Sequence, residues 1–171
     1  MKVLKPTYYA TEHLPHGWMA ATSSEQGVTK LSPPCPSEEL ALAAIKLGRC
    51  MPKRQNSQFI HLFNELSLYL DAKTEQLSSP IDISNGPLFF QRVWAMCRTI
   101  PYGETRSYGW LASASGNPQA QRAVGQAMAN NPIPLLVPCH RILKANGQLG
   151  GYAWGVPLKS WLLSMESTQL N

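Results

Sequence analysis

The sequence predicts an α+β protein built as two units, a mixed α/β unit over residues 1–86 and a helical unit over residues 87–171. Three observations carry this reading. Residues 7–32 break into short runs rich in Thr, Tyr, Val and Trp, separated by turn residues, as strands do. After Pro87 the apolar residues recur at helical spacing instead. Between the two patterns, residues 72–86 are polar and turn-rich, with Ser78-Ser79-Pro80 and Asn85-Gly86-Pro87, and read as a linker.

The first strands are Thr7-Tyr8-Tyr9-Ala10-Thr11, Trp18-Met19-Ala20-Ala21-Thr22 and Val28-Thr29-Lys30-Leu31, with Ser23-Ser24-Glu25-Gln26-Gly27 as a hairpin loop. Pro33, Pro34 and Pro36 stop them. Ser37 then caps a helix that carries Glu38 and Glu39 in its first turn, where the dipole favours acid, and that ends before Gly48. A second helix fits residues 58–71, on the spacing of Leu62, Leu66, Tyr69 and Leu70. Beyond the linker, Phe90, Val93, Trp94 and Cys97 mark one helix, ended by Pro101 and Gly103. Two short helices follow, one from Ser107 and one over residues 119–129, joined at Gly116-Asn117-Pro118 in the pattern of a helix-turn-helix. Asn146-Gly147 signals a hairpin, which after such a motif is a wing. Leu158, Trp161, Leu162 and Met165 place the apolar face of a last helix.

Charge is divided unevenly. Residues 1–91 hold eight Lys/Arg and eight Asp/Glu, whereas residues 92–171 hold seven against two, so the net +5 lies in the second unit and suits a polyanion. No apolar run approaches the roughly 20 residues that span a bilayer, and no apolar stretch follows the N-terminal lysines. The expectation is therefore a cytoplasmic protein without membrane contact. Cys35, Cys50, Cys97 and Cys139 form no Cys-x-x-Cys pair, which fits a reducing compartment.

The chemistry concentrates in the basic unit. The helix around Arg122 is made of Ala120, Ala123, Gly125, Ala127 and Ala129, with Arg122 its only charge. Such a slim helix can approach another backbone closely; the alternative is tight packing against a neighbouring helix. The run Asn131-Pro132-Ile133-Pro134-Leu135-Leu136-Val137-Pro138 is apolar and fixed by prolines, and delivers Cys139, His140 and Arg141. A nucleophilic thiolate needs a base or cation near it, and His140 is the candidate base. Neighbouring side chains on an extended segment point apart, so a water or a bend must link them. Glu166 is a candidate to orient His140, as an acid orients the histidine of a triad.

Pro138-Cys139-His140-Arg141, with Arg122-Ala-Val-Gly and Asn131-Pro132 before it and Gly151-Tyr152 and Lys159-x-Trp161-Leu-Leu after it, resembles the O6-alkylguanine-DNA alkyltransferases (methylated-DNA–protein-cysteine methyltransferases). The likeness runs from about Pro87 to Glu166; residues 1–86 match only in length and coarse pattern, as a ribonuclease-H-like domain before a winged helix-turn-helix domain. It implies a suicide repair protein whose cysteine takes an alkyl group from guanine and keeps it, acting as a monomer on double-stranded DNA, without cofactor. By motif it implies Cys139 as acceptor, His140 as water-mediated base, Glu166 orienting His140, Tyr108 protonating the leaving base, Asn131 as hinge and Lys159 on the backbone near Cys139. Arg122 would fill the gap of the flipped nucleotide, with Ala120, Gln121, Ala123, Gly125 and Arg141 also toward DNA. Gly150, Tyr152, Ala153 and Trp154 would wall the pocket, Trp154 narrowing it. Some members bind zinc in the first domain; Cys35, Cys50, His13, His16 and His61 do not reproduce that pattern, so no metal is expected. Alkyltransferase-like binding proteins replace the acceptor cysteine, and a cysteine hydrolase would leave the basic helices unexplained.

Overall fold

The structure is a computed structural model that describes residues 8–47 and 52–168. It divides into two compact units, Met1–Asn85 and Gly86–Asn171. In the first, β1 (Tyr8–Leu14), β2 (Gly17–Ser23) and β3 (Val28–Leu31) form an antiparallel meander, and β4 (Lys53–Arg54) adds parallel to β1, giving the order β3-β2-β1-β4. Met19, Ala20, Ala21 and Thr22 of β2 are all buried, so this strand is covered on both faces, which explains its small side chains. One cover is α1 (Glu38–Ile45), whose Ala41 and Ile45 pack with Ala20. Ser37 caps it as expected, its hydroxyl accepting from the Leu40 amide at 3.3 Å. α2 (Ile60–Leu70) follows a 3-10 turn at Asn56–Phe59 and buries Leu62, Phe63, Leu66, Tyr69 and Leu70. The expected positions of Thr7, Gly48 and Cys50 lie outside the described residues.

The stretch read as a linker is partly built into the first unit. Glu65 is buried on α2 and accepts hydrogen bonds from the Ser78 and Ser79 amides at 2.7 and 2.9 Å. Val28 donates to the Pro80 carbonyl at 2.9 Å, and the Asp82 amide donates to the Val28 carbonyl at 2.8 Å. Asp82 in turn accepts from the Ser24 hydroxyl at 2.6 Å. A polar sequence is therefore built into the unit because Ser78, Ser79, Pro80 and Asp82 find partners on α2, β3 and the loop before it.

The second unit is helical. α3 (Leu88–Cys97) begins after Pro87, whose φ of −54° suits a helix entrance, and buries Val93, Trp94 and Cys97. β5 (Arg106–Ser107) leads into α4 (Tyr108–Ala114), capped by the Ser107 hydroxyl, which accepts from the Trp110 amide at 3.0 Å. Six residues, 115–120, connect it to α5 (Gln121–Ala129). The Trp94 indole N–H donates to the Ala127 carbonyl at 2.8 Å and ties α3 to α5. A 3-10 turn at Cys139–Arg141 runs into β6 (Ile142–Leu143), which pairs parallel with β5. α6 (Val156–Thr168) closes the unit.

Two expectations are corrected here. No strand returns after Asn146-Gly147: the turn forms, closed by Lys144 N–H to Gln148 O and Gly147 N–H to Lys144 O, both 2.9 Å, but Gly150 at φ +68° then turns the chain away. β6 pairs with β5 instead, and the segment expected to be a hairpin is a loop. The buried face of α6 is also different, for Trp161 is 39% exposed while Lys159, Leu162 and Glu166 are buried.

Gly27 gives the first unit a specific weak point. Its φ is +152°, and a Cβ there would lie 2.5 Å from the Pro80 carbonyl oxygen. Gly27→Ala is expected to cost about 1–3 kcal/mol of stability, read as a lower urea midpoint. An unchanged midpoint in a denaturation curve would show that the 23–28 loop is not pressed against Pro80.

Candidate active site

The site begins with Asn131, just past α5. Its side-chain amide Nδ2 donates to the Val137 carbonyl at 2.9 Å and to Cys139 Sγ at 3.0 Å, while its Oδ1 accepts from the Ile133 amide at 3.1 Å. One buried side chain thus closes the proline-bounded loop on itself and aims the thiol. The loop needs that tie, because Leu135 at its apex sits at φ +74°, a region costly for a non-glycine residue.

Cys139 is 4% exposed, and burial pushes its thiol up to about 11. The Asn131 hydrogen bond and the charge of Lys159 work in the opposite direction without overcoming burial. At neutral pH the resting site therefore holds a thiol and not a thiolate. Lys159, on α6, is fully buried; its Nζ donates to the Ile142 carbonyl at 2.6 Å and to the Gly151 carbonyl at 3.5 Å. This anchors α6 to both chain segments that flank the thiol.

His140 follows Cys139 in a 3-10 turn rather than the extended segment expected. Its Nε2 meets Glu166 Oε1 at 2.7 Å, with both side chains buried. Arg141 does not project toward solvent or DNA, as the sequence suggested. It is 7% exposed and folds inward, its Nε and Nη2 donating to Glu166 at 3.0–3.2 Å and its Nη1 to the Ile100 carbonyl at 2.7 Å. The reason is electrostatic: a buried carboxylate next to a histidine needs a permanent cation, and guanidinium presents a fork matched to it. Burial works to raise the Glu166 carboxyl, but His140 and Arg141 prevail and hold it down at about 2. Burial lowers the His140 pKa, and the pull of Glu166 does not reverse that. Burial thus favours neutral His140, the form that can accept a proton, while Arg141 supplies the permanent counter-charge of Glu166.

The thiol opens into a cavity of about 320 Å³ lined by Tyr108 from α4, by Gly125, Met128 and Ala129 from α5, and by Gly151, Tyr152 and Ala153. Gly125 is not there for helix packing, since a Cβ on it would meet nothing within 4 Å. Burial raises the Tyr108 pKa, so its hydroxyl keeps its proton, and that hydroxyl would lie 3.4 Å from a Cβ on Gly150. Arg122 is exposed and stands three and seven residues before Gly125 and Ala129, hence on the cavity side of α5. Ala120, Gln121 and Ala123 lie at the same end of this helix, and Gln121 leans back toward Gly109 of α4. Trp154 does not line the cavity; it packs edge-on against Tyr152 with ring centres 6.2 Å apart. The narrowing expected of it is therefore corrected. Met128 was not singled out in the sequence, and Ala129 only as one of the small residues of the helix, although their spacing of three and four from Gly125 was a usable signal. Of the residues weighed as metal ligands, Cys50 lies outside the described residues.

The buried Glu166 makes stability acid-sensitive. A carboxyl held near 2 against an ordinary 4.5 stabilises the fold above pH 4.5 and loses that contribution as pH falls toward 2. A histidine held below 6.5 adds a loss that starts as pH falls through 6.5, where the unfolded chain takes up the proton first. Glu166→Gln should cost about 3–5 kcal/mol at pH 7, because it strands Arg141, and should flatten the denaturation midpoint between pH 4.5 and 2.5. A wild-type midpoint at pH 7 would contradict this.

Residues 88–168 match the family model "6-O-methylguanine DNA methyltransferase, DNA binding domain". The methylated-DNA–protein-cysteine methyltransferase of Mycobacterium leprae is 44% identical over 116 residues, which are 68% of this chain and 70% of that protein. The bifunctional transcriptional activator/DNA repair enzyme Ada of Escherichia coli is 36% identical over 163 residues, 93% of this chain and 45% of that one. Among solved structures, Mycobacterium tuberculosis OGT in complex with DNA superposes with a TM-score of 0.81 at 34% identity, covering 95% of this chain and 94% of that one. With a buried cysteine, an adjacent histidine–glutamate pair and a helix-lined cavity in place, the chain belongs to the methylated-DNA–protein-cysteine methyltransferase family.

Proposed function

We propose that this protein repairs DNA by taking the alkyl group of O6-alkylguanine, chiefly O6-methylguanine, onto Cys139 irreversibly, once per molecule. The observation that carries the reading is the buried Cys139 thiol, tied to Asn131 and opening into a cavity large enough for a single base. A base inside the duplex cannot reach such a thiol, so the nucleotide must be everted, at a cost of a few kcal/mol. Arg122, exposed on the cavity side of α5, is suited to occupy the space it leaves.

In the transfer, Sγ of Cys139 attacks the alkyl carbon, a carbon–sulfur bond forms and the bond to O6 breaks. The thiol proton passes through a water to neutral His140, whose cation Glu166 stabilises. Tyr108 gives its proton to the departing guanine and recovers one from His140 through solvent, so the net change is one proton moved from thiol to base. A thioether resists hydrolysis, and the protein is spent. Lys159 and the Asn131 amide favour developing negative charge on sulfur.

The second unit reads as a helix-turn-helix in α4 and α5, with the 144–150 loop in the place of a wing, and the first as a ribonuclease-H-like fold, supported by the order β3-β2-β1-β4 with β1 and β4 parallel. The protein acts as a monomer in the cytoplasm and uses no cofactor.

Incubation with a duplex carrying one O6-methylguanine should raise the intact mass by one methyl group per molecule, mapped to the peptide with Cys139. Cys139→Ser should abolish this while leaving duplex affinity within a few-fold, since phosphate contacts lie elsewhere. Multiple turnovers, or methylation surviving in Cys139→Ser, would overturn the assignment. Arg122→Ala should slow repair of duplex much more than reaction with free O6-methylguanine, because only the duplex pays for eversion; equal slowing would place Arg122 in the chemistry.

A further inference from the structure

Seven cations lie in residues 92–171, and the structure sorts them. Arg141 and Lys159 are buried in the site, and Arg106 pairs with Glu104 while stacking over Trp110. Arg92 stands on α3 and Arg98 caps its end, and no residue of that helix lines the cavity. Arg122 and Lys144 remain beside the cavity mouth. Lys144 is exposed, and none of the ion pairs among the described residues includes it.

Its position is set by the chain around it. The Lys144 amide donates to the Gln148 carbonyl and its carbonyl accepts from the Gly147 amide, both at 2.9 Å, so the backbone is fixed by the Asn146-Gly147 turn. Gly150, brought back by its positive φ, lies between two side chains: a Cβ on it would sit 3.4 Å from the Tyr108 hydroxyl and 3.6 Å from Cγ of Lys144. The lysine stem therefore passes Gly150 beside the tyrosine that lines the cavity, on an exposed residue whose remaining length can reach the cavity mouth. A side chain whose stem is already packed loses less freedom when its head is bound.

We infer that Lys144 is a phosphate-positioning residue, whose ammonium holds the DNA backbone next to the everted nucleotide while the base enters the cavity. The inference rests on the functional reading above. An everted nucleotide carries its phosphates to the cavity mouth, and a compact ammonium is a suitable point-charge partner for one of them. Arg122 and Lys144 then come to the mouth from different elements, one from α5 and one from the 144–148 turn.

The test compares wild type, Lys144→Gln and Lys144→Arg on two substrates, a duplex with one O6-methylguanine and the free O6-methylguanine base. For Lys144→Gln, the slope of log affinity for the duplex against log salt should drop by about one unit, and methyl transfer from the duplex should slow several-fold at fixed salt. Reaction with the free base, which has no phosphate, should keep its rate, and Lys144→Arg should restore the slope. An unchanged salt slope, or equal slowing on both substrates, overturns the inference. If the wild type methylates itself from neither substrate, the functional reading fails instead and takes the inference with it.

Discussion

A single buried carboxylate organises the catalytic half of this molecule. Glu166 arrives on α6 and accepts from His140, from Arg141 and from the Gly103 amide at 3.2 Å, so it joins the last helix, the thiol-bearing turn and the loop after α3. A carboxylate in that environment must be ionised to satisfy so many donors, and must be balanced to be buried at all. Arg141 provides the balance. The histidine is then free to stay neutral, which is the form a base requires. Remove the carboxylate and three separate segments lose both their common anchor and their charge balance.

Much of this was legible in the sequence because local rules and chemistry agreed. The strands of the first unit, the Ser37 and Ser107 caps and the helix over Leu88–Cys97 all follow from spacing and turn residues. Asn131 and His140 were found by motif, and the structure gives each a partner. What the sequence hid were charges that face inward. Arg141 reads as one more cation of a basic domain, and apolar spacing on α6 points to Trp161, yet the buried row is Lys159, Leu162 and Glu166. No hydrophobicity pattern assigns a lysine and a glutamate to the core, because their burial depends on partners distant in sequence. The signal available was their separation: 159, 162 and 166 lie on one helical face.

The turn-rich stretch before Pro87 failed for the opposite reason. Composition marks it as a connector, but its order comes from backbone amides answering Glu65, and from the Val28 pairing. Similarly, Asn146-Gly147 correctly announced a turn and wrongly a second strand, since the chain's direction afterwards is set two residues on, by Gly150. Local chemistry decides where a chain bends; the continuation is decided by what lies within reach.

The buried lysine has a consequence for the fate of the molecule. In the resting site Glu166 and Arg141 cancel, which leaves Lys159 as a positive charge whose natural complement is the Cys139 thiolate. The protein thus stores, in its interior, the counter-charge of a species it holds only transiently. In the proposed transfer, once sulfur carries an alkyl group no anion can form there, and the Asn131 amide faces a thioether, a weak acceptor. On that reading the spent molecule loses the anion that favours a charged Lys159, and burial then acts on this lysine without that opposition, at the point where α6 is anchored.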